Sequence, residues 1–388
     1  MSLLRDISVS AVVAGFVTVL VGFTSSAVIV FQAAHAVGAG PAEIASWMWA
    51  LGLGMGLTCI GLSLRYRMPV VTAWSTPGAA MLITGAAGAS LGEATGAFMV
   101  SGLLIAIAGF SGWFERTINR IPISIASGML AGVLLRFGLE LFVVMKAQFL
   151  MAFAMFAVYL AMRRLSPRYA VISAFVLGVA IATAQGSLHM ETVHFALAKP
   201  VWVTPGFSVS ALIGTALPLF VVTMASQNVP GVAVIRASGY AIPISPVVGW
   251  TGAANFLLAP FGGFAINLAA ITAAICMGRE AHEDVKRRYV ASIAAGFFYV
   301  LIGLFGATVG ALFAAFPHEL VAAIAGLALI GTIGNGLAAA MAAEREREAA
   351  LITFLVTASG VTLSGIGSAF WGLVAGGLAL LVLRTRTN

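Results

Sequence analysis

Residues 68–88 read MPVVTAWSTPGAAMLITGAAG, and residues 258–278 read LAPFGGFAINLAAITAAICMG. Both are apolar enough to lie in a bilayer, and neither reads as one continuous helix. In the first, Val70 to Trp74 is β-branched and aromatic and follows Pro69. Ser75, Thr76 and Pro77 then supply an N-cap and a proline for a first helical turn. What remains is too short to cross alone, since a spanning helix needs about 20 residues. In the second, Pro260 and Gly262-Gly263 precede an extended Phe264-Ala265-Ile266, and Asn267 is placed to cap a short helix. Each stretch is expected to be a short strand followed by a half-helix.

The composition around these stretches makes such breaks informative. Of 388 residues, 61% are hydrophobic and 9% are charged, where a soluble domain has about 25% charged. Mean hydropathy is +1.06. So few charges cannot cover a water-exposed surface. No period-two alternation points to an outer-membrane barrel. The fold class is therefore an all-α polytopic membrane protein. The net charge of +7 sits in short loops, with no basic tract interleaved with aromatics. It reads as a positive-inside bias and not as nucleic-acid binding. Cys59 and Cys276 lie in apolar segments and form no CxxC, and His189, His194, His282 and His318 have no metal spacing. No metal or other cofactor is expected. The N-terminus lacks a small-residue cleavage site and reads as a first span.

Charge and Pro/Gly punctuation divides the chain into fourteen spans: 8–34, 42–63, 70–88, 94–114, 121–145, 147–163, 168–187, 208–230, 240–259, 262–278, 288–314, 319–341, 349–364 and 367–384. With this count, of the 20 Lys and Arg only Arg136, Lys146 and Lys199 fall outside one set of alternate loops. That asymmetry places both termini in the cytoplasm. The long connection 188–207 divides the spans seven and seven. An odd number per half makes the second half an inverted repeat of the first, over 1–188 and 207–388, as in many transporters. SAVVAGFVTVLVGFTSS from Ser10 and SALIGTALPLFVVTMAS from Ser210 echo each other at the start of each half. The two broken spans are third in their halves. Non-helical backbone at membrane depth survives only buried in protein or lining a cavity, and paired breaks point to a binding site. Facing half-helix N-termini suit an anion, particularly a carboxylate.

Polar residues inside spans narrow the site. Thr223 to Pro230 reads TMASQNVP, where Ser226, Gln227 and Asn228 offer hydroxyl and amide groups. Thr24, Ser25 and Ser26 occupy the matching place in the first span, where bonding to their own helix is an equal alternative. Phe23, Trp74, Phe261 and Phe264 are near enough to pack against a ring. Arg136 and Glu140 stand at i and i+4 and can pair on one helix face. Glu93 and Glu43 read as helix N-terminal charges, and Glu344 to Glu348 as a solvated loop. Trp47, Trp49, Trp202 and Trp250 read as an interface belt. No paired carboxylates, metal cluster or nucleophile–base set suggests an enzyme, and no nucleotide-binding motif suggests ATP drive.

PVVTAWSTPGAAML, TMASQNVPGVAVIRASGY and APFGGFAINLAAITAAICMGREAH resemble signature segments of the benzoate:proton symporter (BenE) family. Length and span pattern agree along essentially the whole chain. That family is similar in fold to nucleobase and sulfate transporters with seven-plus-seven inverted repeats. The resemblance implies a core domain from 1–116 and 207–314 and a gate domain from 119–188 and 317–388. It also implies proton-coupled import of benzoate across a bacterial inner membrane, with substrate between the third and tenth spans, and a homodimer. Nucleobase transporters of this fold carry glutamates on the eighth and tenth spans; here those regions hold Ser226-Gln227-Asn228 and Asn267. An acid there would repel benzoate. The proton carrier then stays open between Glu140 and the substrate itself. On this reading Ser75, Thr76 and Asn267 bind the carboxylate, and Gln227 and Asn228 add hydrogen bonds. Phe23, Trp74 and Phe264 receive the ring, with Ser25, Ser26 and Ser226 beside them. Another anion or a nucleobase on the same fold, or a passive channel, is the alternative.

Overall fold

A computed structural model gives the architecture. It describes residues 5–85, 89–112, 114, 122–165, 170–188, 197–228, 231–232, 235, 238–269, 271–278, 281–306, 308, 316–361, 363 and 368–384. The first half holds α1 (Val9–Ala36), α2 (Pro41–Tyr66), β1 (Thr72–Trp74), α3 (Thr76–Gly85), α4 (Leu91–Phe110), α5 (Ile123–Val143), α6 (Phe149–Leu165) and α7 (Ala170–Ala184). The second holds α8 (Val209–Asn228). After it come α9 (Ile244–Leu258), β2 (Ile266–Leu268), α10 (Ile271–Met277), α11 (Tyr289–Leu304), α12 (His318–Met341), α13 (Arg347–Ala358) and α14 (Ser368–Arg384). Six helical stretches among the described residues are long and apolar enough to cross a membrane: Pro41–Tyr66, Leu91–Phe110, Ile123–Lys146, Val209–Asn228, Ile244–Phe261 and Val285–Leu304.

Helix starts follow capping chemistry. Ser8 accepts from the Ala11 amide at 3.2 Å. Ser90 and Glu93 close a capping box at α4, and Glu43 reaches the Gly40 amide at 3.0 Å before α2. These carboxylates act as the helix N-terminal charges that their positions suggest.

Small residues set the helix packing, because lipid gives apolar helices no solvent-driven reason to associate. A Cβ on Gly52 of α2 would lie 2.5 Å from the Gly303 Cα of α11, and one on Gly56 would lie 2.6 Å from the Gly296 carbonyl. Gly102 and Gly109 of α4 meet α9 in the same way, at Asn255 and Gly249. A second group forms where α5 packs on α12 and α13, and α13 on α14. Gly128 and Gly132 of α5 sit against the Ala350 and Phe354 carbonyls of α13.

Several sequence expectations need correction. The strand of the second broken span is Ile266–Leu268, two residues later than expected, and Asn267 lies within it and caps nothing. The chain turns at Gly262 (φ 93°) and again at Ala265, which holds the left-handed φ of 46°. That second turn delays the extended backbone. Arg136 and Glu140 make no ion pair among the described residues; the Arg136 guanidinium lies beside Gly360, past the end of α13. Trp47 is 1% exposed and belongs to the core, whereas Trp202 at 60% is exposed as a belt residue would be. Glu346 lies in a short 3-10 turn, not a free loop, and accepts from Ser124 at 2.6 Å.

The connection between the halves is partly described. Residues 197–207, without regular secondary structure, lie as a strap against α2, α4, α11 and the turn after α9. The Ala198 amide donates to Leu304 at 2.7 Å, Val203 to Pro260 at 2.8 Å and Gly206 to Gly92 at 2.8 Å. Ser46 of α2 accepts from the Val201 amide at 2.9 Å and donates to the Phe261 carbonyl at 2.9 Å. At another set of helix ends, Asp6 meets Arg67 and Arg287, each at 3.6 Å, and accepts from the Tyr289 hydroxyl at 2.7 Å.

Candidate functional site

β1 and β2 pair antiparallel, with Thr72 opposite Leu268, Ala73 opposite Asn267 and Trp74 opposite Ile266. Three residues a side make too short a ladder to hold itself. Buried side chains supply the rest. The Thr72 hydroxyl lies 2.7 Å from that of Thr58 and donates to the Met55 carbonyl at 3.1 Å, and the Thr72 amide donates to the Cys59 sulfur at 3.2 Å. Asn255 of α9 holds Ile266 at both ends: its Oδ1 accepts from the Ile266 amide at 2.6 Å, and its Nδ2 donates to the Ile266 carbonyl at 2.9 Å. Asn228 accepts from the Leu268 amide at 2.9 Å. The strand pair is thus clamped from α2, α8 and α9.

Opposed residues on an antiparallel pair share a face. Thr72, Trp74, Ile266 and Leu268 lie on one face; Ala73 and Asn267 lie on the other, where Ala73 is half-buried. α3 starts directly after β1. Ser75 is fully buried and caps it, accepting from the Gly78 amide at 2.9 Å. Thr76, at the first helical position, is half-buried.

α8 is not a regular helix. It widens to π geometry at Leu212–Ala216 and again at Met224–Asn228. The second π turn coincides with the polar run. Such turns occur often at functional sites because the extra residue shifts side chains around the helix. Asn228 is turned inward to β2, while Ser226 and Gln227 are half-buried and make no side-chain hydrogen bond among the described residues. Both α3 and this π turn lie against α5.

Trp74, Phe23 and Ser26 come together. The Trp74 indole donates to the Ser26 hydroxyl at 2.8 Å, and Ser26 donates on to the Gly22 carbonyl at 2.9 Å. The Phe23 and Trp74 rings lie 5.8 Å apart. The Ser25 side chain lies outside the described residues. Phe264 is elsewhere: it packs with Trp47 (5.3 Å) and Phe98 (5.5 Å) in a buried aromatic cluster, with no face left for a ligand ring. Glu140 lies half-buried on α5. The sequence reading missed Asn255, although an uncharged amide in an apolar span is a signal in itself.

Asn267 stands out chemically. It is buried, its Nδ2 donates to the Ala265 carbonyl at 2.7 Å, and its Oδ1 has no hydrogen-bond partner among the described residues. Neither strand, nor α3, nor α10, nor the π turn carries Asp, Glu, His, Lys or Arg. Among the described residues, no group of His, Cys, Asp or Glu could hold a metal ion. The arrangement is a buried, uncharged, hydrogen-bonding strand pair with Asn267 on one face and the Trp74 ring on the other.

Both the sequence and the fold have relatives. The inner membrane protein YdcO of Escherichia coli is 50% identical over 370 residues, 95% of each chain. The benzoate membrane transport protein of Acinetobacter baylyi is 42% identical over 382 residues, 98% of this chain and 97% of that one. Among solved structures, the anion transporter family member SLC26A9 aligns with a TM-score of 0.63 at 13% identity, covering 100% of this chain and 68% of its own. The transmembrane domain of the cyanobacterial bicarbonate transporter BicA gives 0.55 at 14% identity, covering 97% of each. At such identities the structures show the fold alone. One relative is named as an inner membrane protein and the other as a membrane transport protein, and neither as an enzyme. Residues 5–382 match the family described as benzoate membrane transport protein, and the chain belongs to that family.

Proposed function

We propose that this protein is a secondary active transporter that imports benzoate or a similar aromatic carboxylate together with a proton. The observation that carries the reading is the clamped β1–β2 pair, with α3 and the α8 π turn beside it, in a chain of this family. The carboxyl group meets Thr76, Ser226, Gln227 and Asn267. Trp74, held by Ser26 and packed on Phe23, lies on the opposite face of the strand pair from Asn267 and backs the site. Ser75 and Asn228 shape the site, because their side chains are committed to backbone amides.

The inverted repeat is part of the same proposal. In it, α2 of the first half corresponds to α9, and α4 to α11. The packing of α2 on α11 and of α9 on α4 is then one contact made twice. Residues 1–116 and 207–314 form the core, and 119–188 and 317–388 the gate that moves against it to alternate access. The cluster of Arg67 and Arg287 around Asp6 supports placing these ends, with both termini, on the cytoplasmic side of the inner membrane. A homodimer belongs to this reading as well.

Uptake of labelled benzoate into proteoliposomes tests it. Saturable accumulation driven by an inward proton gradient is expected. Linear flux would make the protein a channel. Absence of uptake from a folded preparation would turn the search to other anions and to nucleobases.

A further inference from the structure

The buried amide oxygen of Asn267 is the one side-chain polar atom of the strand pair left without a hydrogen-bond partner among the described residues. Its orientation is fixed by chemistry. Exchanging the two ends of the amide would press Oδ1 against the Ala265 carbonyl, which now accepts from Nδ2 at 2.7 Å. The free atom is therefore an acceptor, and it asks for a donor.

The donors suited to an anion are few. Pro77 has no N–H, the Gly78 amide is committed to Ser75, and the Ala79 amide to the Ser75 carbonyl. In the first turn of α3 this leaves the Thr76 amide. β2 packs against β1, α2, α9 and the π turn. From α2 the near titratable group is Cys59, already bonded to Thr72, while Glu43, Arg65 and Tyr66 sit in the end turns. α9 and the π turn carry no charge. α5, against α3 and the π turn, carries the exposed Arg136 and the half-buried Glu140.

Resting on the transport reading above, we infer that the substrate occupies this site as the neutral carboxylic acid, its O–H donating to Asn267 Oδ1. The acid carbonyl accepts from the Thr76 amide or from Gln227. The coupled proton then travels on the substrate. It is taken up with the carboxylate outside and lost when the acid dissociates inside. One proton accompanies each substrate, no charge crosses, and no protein carboxylate is needed.

Competition against labelled benzoate on the purified full-length protein tests this. A carboxylic acid is almost fully ionised above about pH 5, so the apparent affinity for benzoate should fall about tenfold per unit from about pH 5.5 to 7.5. Benzamide, a neutral mimic with both donor and acceptor, should compete equally at every pH. Benzenesulfonate, anionic throughout, should not compete. Asn267→Ala should weaken benzamide about tenfold in protein that melts as the wild type does; the wild-type ligand series stands without it. Competition by benzenesulfonate with none by benzamide would overturn the inference and leave benzoate transport intact. Failure of benzoate to bind at any pH would overturn the transport reading and this inference with it.

Discussion

Asn228 and Asn255 reach β2 from different helices: Asn255 spends both ends of its amide on Ile266, whereas Asn228 accepts from the Leu268 amide and donates to the Met224 sulfur. In the sequence both are simply polar residues in apolar spans, and Asn228 reads as a ligand. Its partner, the Leu268 amide, lies 40 residues away, where nothing in the local sequence points to it. Asn267 differs. It reads as a helix cap that also binds the carboxylate; it caps nothing because the strand starts late, and its oxygen has no partner among the described residues. Asn255→Ala would strand the amide and the carbonyl of Ile266 in a buried site. Each unsatisfied group costs about 1–3 kcal/mol. The variant should melt well below the wild type in detergent, and Thr183→Ala, on an exposed position of α7, should melt with it.

At the scale of elements, the two strand-and-short-helix units were legible because proline, glycine and β-branched residues break helices by known sterics. The π turns in α8 were not, since Leu212–Ala216 and Met224–Asn228 carry no residue that demands them. The late start of β2 was hidden for a similar reason: alanine does not advertise a positive φ. Trp47 and Phe264 misled because a buried aromatic cluster and a lipid-facing or ligand-facing ring have the same composition. Gly262 marks the tightest point of this region. Its φ of 93° excludes most side chains, and a Cβ there would enter the Trp47 ring. Gly262→Ala should abolish folded protein, read as loss of the monodisperse peak on size exclusion. Gly61→Ala, on an open face of α2, should leave that peak unchanged or raise the melting point, by up to about 1 kcal/mol of helix propensity.

For the whole molecule, the apolar composition made the membrane class plain, and six helical stretches among the described residues are long and apolar enough to span. What moves against what was not legible from composition, because it depends on which helices interlock. Glycine contacts fasten α2 to α11 and α4 to α9, while α5, α12, α13 and α14 form the other group. Hydrogen exchange with and without benzoate should therefore change in α3, the α8 π turn and α5, and stay constant in α2, α4, α9 and α11. Uniform change would argue against two rigid bodies. The strap adds a dimension of time. Of its anchors, Ser46 and Gly92 precede it in the chain, whereas Pro260 and Leu304 follow it. A ribosome delivers them in that order. The strap's partners on α2 and α4 are therefore made before it and those near Pro260 and Leu304 after it, so its full set of hydrogen bonds exists only once both halves of the chain are present.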